Sequence, residues 1–160
     1  DNVGTPESNQ ALSETRASWR ALDVPDRISV VAAIGTMAGV FLPWVSTRTE
    51  PLRIGLMSGG VAHLLLALVG IGVVVRRWSA MTGLVAARLG GAARRRHLRR
   101  LSLWHLVIGA LSTALGVYFL AYYGLLADPE GGLRIRYGLY LTIGCGAGLS
   151  CGGLWRFFAG

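Results

Sequence analysis

Few side chains in this 160-residue chain could do chemistry inside an apolar protein, and the cysteines and histidines lead the candidates. Cys145 and Cys151 lie in the stretch GCGAGLSCGGLW, Gly144 to Trp155. A glycine-rich loop that cradles phosphate needs a preceding strand and either a P-loop lysine or dinucleotide spacing. Neither that lysine nor that spacing is present, and all 16 basic residues are arginine. On a helix, residues six apart sit about 9 Å apart along the axis and about 120° apart around it. The two thiols then neither bridge each other nor share a metal. They read as small packing residues.

His63 falls in the middle of an apolar run, on the same helical face as Gly55, Gly59 and Gly70. An ionisable side chain inside a membrane is a candidate functional site, and the expected partner is a hydroxyl of Ser112 or Thr113 at similar depth. Haem ligation by His63 and His105 is disfavoured, because their helices run in opposite directions with a depth mismatch on the order of 10 Å. His97 lies among arginines and reads as a solvated residue. No metal or cofactor is expected. The eight acids all fall outside the apolar runs. A proton-coupled exchanger would want a carboxylate within a span. No nucleophile–base–acid set or carboxylate pair can be assembled there either, so no enzymatic activity is expected.

These residues must be positioned by apolar helices. The chain is 52% hydrophobic and 15% charged, against about 25% charged in ordinary soluble domains. Four runs, 28–45, 54–75, 101–124 and 137–158, each approach the roughly 20 residues that span a ~30 Å hydrocarbon layer. The expected fold is an all-α integral membrane protein, a four-helix transmembrane bundle over residues 28–158. Residues 1–27 form a polar, partly disordered tail with five acids and three arginines. No secretory signal is expected ahead of the first run. Within the tail, Leu12, Trp19 and Leu22 suit a short amphipathic turn on a membrane surface, and Asp23, Pro25 and Asp26 supply helix-start chemistry.

Eight of the 16 arginines fall in residues 76–100, whereas the connections 46–53 and 125–136 hold two each. The positive-inside rule makes the 76–100 loop cytoplasmic and puts both termini inside. Trp78, Trp104 and Trp155 then fall at the inner boundary. Trp44, Tyr118, Tyr122, Tyr123, Tyr137 and Tyr140 fall toward the outer one. Residues 76–93 suit an interfacial helix, which the glycines at 90 and 91 would end. The net charge of +8 is thereby explained mainly by topology. Arg94, Arg95, Arg96, Arg99 and Arg100 could also recruit anionic lipid headgroups or a cytoplasmic partner. Nucleic-acid binding is weakly supported, because no stacking platform accompanies the cluster.

Glycines four apart, Gly144, Gly148 and Gly152, Gly35 and Gly39, and Gly55 and Gly59, read as small-residue faces that let membrane helices approach closely. Ala110 and Ala114 form a milder version. The expected function is a non-enzymatic structural or accessory membrane component, self-associating or joining a larger complex through these glycine faces. It would meet lipid or a partner through the arginine loop. A small transporter or channel centred on His63 is the alternative, followed by a haem or quinone anchor. The bilayer is expected to be a cell membrane or, less favoured, a viral envelope.

Overall fold

The computed structural model describes residues 22–47, 53–82, 91–127 and 132–159. Leu12 and Trp19 of the expected surface turn lie outside them, as do residues 83–90 of the expected interfacial helix. The described chain is mostly helical. Helix α1 is Val24–Phe41, α2 is Val61–Thr82, α3 is Gly91–Leu126 and α4 is Tyr137–Ala159. Among the described residues three stretches are long and apolar enough to cross a membrane: Val24–Phe41, Val61–Ala80 and Ala92–Leu126. At 23 residues α4 has the length, but its glycines and tyrosines dilute its hydropathy.

Helix α1 starts four residues before the expected boundary and stops at Phe41. Pro25 occupies its first turn, and Asp23 sits at the N-cap position without a side-chain capping bond. The stop is set by Pro43, whose ring disfavours helical geometry at the residue before it; Leu42 is extended. Residues Ser29, Ala32, Ala33, Thr36 and Val40 recur at helical spacing and are buried, whereas Val31, Ile34 and Phe41 are more than half exposed. Small and polar residues face the bundle and large apolar ones face outward. A soluble helix would arrange these the other way.

The expected start of the second helix at Ile54 is corrected to Val61. Gly55–Ser58 instead form a 3-10 turn, closed by Gly59 in the left-handed region at φ 96°, where a side chain is strained. The connections at this end are also more ordered than plain loops. Strand β1, Pro43–Ser46, pairs antiparallel with β2, Arg53–Ile54, and with β3, Arg134–Ile135, giving the order β2-β1-β3. The sheet ties the α1–α2 connection to the α3–α4 connection. Arg136 reinforces it, its backbone N–H donating to Trp44 O at 2.7 Å and its Nε to Ser46 Oγ at 2.9 Å.

The largest correction concerns the basic loop. Helix α2 runs on through residues 76–82, and α3 already begins at Gly91. The arginine cluster is therefore the first part of a 36-residue helix, about 54 Å long. Gly91, expected to help end an interfacial helix, is the first residue of α3, and Gly90 lies outside the described residues.

The helices form a ring in chain order, with α4 packed most extensively, against α3 on one side and α1 on the other. Ala32, Ile108 and Leu149 make one apolar cluster, and Val40, Leu139 and Trp44 of β1 make a second. Trp44, expected at the outer boundary, is fully buried. Its indole Nε1 donates to Gly39 O at 2.9 Å, which satisfies its polar edge within the fold.

Candidate functional site

Helix α4 presents two seams, and the glycines lie where neighbouring backbones come closest. Toward α1, Gly138, Thr142, Cys145 and Gly152 meet Leu42 and Pro43, Gly39, Gly35, and Ser29 with Pro25. Toward α3, Ile143, Gly146, Ser150 and Gly153 meet Gly116, Thr113, Gly109, and Leu106 with Ser102. A Cβ at Gly109 would fall 2.7 Å from Gly146 O, and one at Gly153 would fall 2.9 Å from Ser102 O.

The glycines expected to pack divide accordingly. Gly35, Gly39 and Gly152 lie in these seams. At Gly148 an added Cβ would make ordinary contact with Ala32, 3.5 Å away, and at Gly144 it would meet nothing within 4 Å. Gly55 and Gly59 are on no helix face. Gly55 leaves room for Trp44 and Gly59 for Phe119 at the turn. Ala110 and Ala114 are exposed, and Gly109 and Gly116 do the packing on α3. Seam residues on α4 step by three and four alternately, as a 3.6-residue turn requires, whereas repeated steps of four drift about 40° each time. Gly144 is thereby carried off the face that Gly152 occupies. The seam glycines meet residues of this same chain, so they are filled within the bundle.

The first polar centre joins all four helices at the end where α1 begins and α4 ends. Asp26, in the first turn of α1, places Oδ1 2.9 Å from Arg77 Nε of α2 and accepts from Arg156 Nη2 of α4 on Oδ2 at 2.5 Å. The side chains of Asp26 and Arg77 are each 6% exposed. Arg77 Nη1 donates to Ser102 Oγ of α3 at 2.8 Å and to Leu98 O at 3.1 Å. Asp23 joins from the rim, accepting from Arg156 Nη2 at 2.8 Å. This replaces the helix-capping role expected of it. His105 is buried nearby and, with Asp26 and Arg77, borders a small, partly open cleft of about 10 Å³. That volume is about the minimum that holds a water.

Sequence reasoning missed this centre. It credited Asp26 to helix-start chemistry and Arg77 to topology. The usable signal was the position of both beside apolar runs, since a charge there must be paired or reach water.

The second centre surrounds His63, which is fully buried near the start of α2. Its Nε2 lies 3.0 Å from the backbone O of Ser112 on α3, so the imidazole N–H donates there. The expected hydroxyl partner is thus corrected to a carbonyl. Thr113 Oγ1 instead donates to Gly109 O within its own helix, at 2.9 Å. Trp44 stands edge-on to the imidazole at 5.3 Å, and Phe119 lies 6.2 Å away. His63 Nδ1, Ser112 Oγ and Ser58 Oγ are buried and make no hydrogen bond among the described residues. Ser112 and His105 are seven residues apart on α3, about 10 Å, so the two imidazoles occupy different levels. Among the described residues no three His, Cys, Asp or Glu side chains group as a metal site. Cys145 packs at Gly35, and Cys151 is exposed.

The third feature is the basic start of α3. Arg95, Arg96, Arg99 and Arg100 are exposed, while Arg94 and His97 are half-buried. Arg99 stacks over Phe157 of α4, 4.6 Å from the ring centroid, which extends the α3–α4 seam past the apolar part.

The class these features define is a helical protein with three helices of membrane-spanning length and an interior tied by buried charges. No protein-family model matches the chain, and no curated protein or solved structure matches it either.

Proposed function

We propose that the chain is a four-span integral membrane protein with both ends cytoplasmic, acting without catalysis as an accessory component. Its working surface is the arginine-rich start of α3, turned toward anionic headgroups or a cytoplasmic partner. The observation that carries this reading is the continuation of α3 beyond the tryptophan level. Gly91 to Trp104 is about 20 Å of helix, with Arg95, Arg96, Arg99 and Arg100 on its outside.

The aromatic spacing supports a fourth span. Trp104 to Tyr122 on α3 and Tyr137 to Trp155 on α4 are each 18 residues, about 27 Å, and all four rings are exposed. Interfacial aromatics at that separation suit a ~30 Å hydrocarbon layer. α4 is the glycine-diluted helix because it sits between two close neighbours, where small residues replace apolar bulk. With its seam glycines filled internally, association with a second copy or a larger complex falls to the outer surface.

Membrane-impermeant thiol labelling tests the arrangement. In a Cys145→Ala/Cys151→Ala background, Arg95→Cys should label only after permeabilisation, and Leu133→Cys should label in intact cells. Labelling of Arg95→Cys from outside would refute the orientation.

Nδ1 of His63, Ser112 Oγ and Ser58 Oγ, unpartnered among the described residues, favour one second reading, a small transporter with His63 as its polar centre. Ion flux in proteoliposomes that His63→Ala abolishes would support it, and no flux in either protein removes it.

A further inference from the structure

Ala93, Arg96, His97 and Arg100, on successive turns of α3, line an open depression of about 340 Å³. Arg96 and Arg100 are one turn apart, so their guanidiniums project from the same side of the helix. Going on toward the membrane-spanning part, Trp104, Val107 and Leu111 follow within about 80° of the same face, and all three are exposed. One stripe thus changes from cationic to aromatic to aliphatic over about 22 Å. From this we infer that the stripe is a binding site for a single anionic phospholipid. The headgroup phosphate sits between Arg96 and Arg100, the glycerol region lies at Trp104, and an acyl chain runs along Val107 and Leu111.

The charge on the depression fits a phosphate, and two guanidiniums hold its oxygens by charge-assisted hydrogen bonds. Arg100 stands one turn, about 6 Å, beyond Trp104, and tryptophans of this kind mark the headgroup boundary. A phosphate at Arg100 is therefore at the depth where lipid phosphates lie. A soluble acidic partner would use the arginines but leave the apolar half of the stripe without purpose. The inference rests on the membrane reading above and names the ligand of its basic surface.

The test uses the full-length protein in dodecylmaltoside, titrated with phosphatidylglycerol or phosphatidylcholine and read by native mass spectrometry. Phosphatidylglycerol should be retained over phosphatidylcholine. Arg96→Gln/Arg100→Gln should weaken it about thirtyfold, the loss expected for two headgroup-level arginines. Arg76→Gln/Arg134→Gln removes the same charge at exposed positions away from the basic start of α3 and should change retention less than threefold. Equal weakening in both double variants would mean diffuse attraction, and no preference between the lipids would mean no site. Either result overturns the inference, as does a short single-stranded RNA that displaces the lipid from the parent but not from Arg96→Gln/Arg100→Gln. Micelles have no sidedness, so failure here leaves the topology untouched, and a failed topology experiment leaves this binding result standing.

Discussion

Removing the carboxylate of Asp26 is the sharpest perturbation the fold offers. That group is in contact with two guanidiniums, from α2 and α4, and its own side chain is 6% exposed. Arg77 is equally buried. With Asp26→Ala, the hydrogen-bond acceptors left to Arg77 among the described residues are neutral, Ser102 Oγ and Leu98 O. Stripping one partner from a buried ion pair costs about 3–5 kcal/mol, because the other charge stays desolvated. Arg77→Met leaves Asp26 paired with Arg156 and should cost about half as much. The double variant Asp26→Ala/Arg77→Met removes both buried charges of the pair and should recover about 2 kcal/mol relative to Asp26→Ala alone, since apolar replacement of such pairs is often neutral or better. Asp23→Ala serves as a control. Its side chain is 68% exposed, and pairs at the surface contribute about 1 kcal/mol or less. The assay is unfolding in mixed micelles by stepwise addition of SDS, followed by circular dichroism. If Asp26→Ala unfolds within 1 kcal/mol of the parent, or the double variant is no more stable than Asp26→Ala, the centre does not hold the helices together as reasoned.

Two further predictions use the same assay. Gly109→Ala and Gly153→Ala should each cost about 1–3 kcal/mol by overpacking against backbone, whereas Gly144→Ala, with nothing within 4 Å, should be neutral. The reverse order would refute the two-seam packing. His63→Leu deletes the bond to Ser112 O and should lower stability by about 1 kcal/mol, the usual size of a polar contact between membrane helices. His63→Gln should retain part of that bond, and equal losses in both variants would argue against its contribution.

Much of the helical layout was legible because it is written along one dimension. The lengths of the apolar runs are local properties, and so are the crowding of arginines in residues 76–100 and the proline after Leu42. The boundaries that shifted did so for local reasons too. Gly59 at positive φ forces a turn where hydropathy alone runs on into a helix, and two-residue strands such as β2 and β3 are too short to show alternation. The helical state of the arginine cluster was hidden because hydropathy separates lipid-facing from water-facing residues, not helix from loop.

What the sequence determined by itself is the supply of parts: apolar helices of spanning length, a basic segment, and enough glycine for close approach. The tertiary structure alone decided which parts meet. Whether Gly144 or Gly146 touches a neighbour depends on how α4 is rotated, and a few tens of degrees exchange a seam for an outer face. The meeting of Asp26, Arg77, Ser102 and Arg156 joins residues up to 130 positions apart. No local pattern encodes it, because a buried charge is satisfied only by whatever the packed helices bring to it.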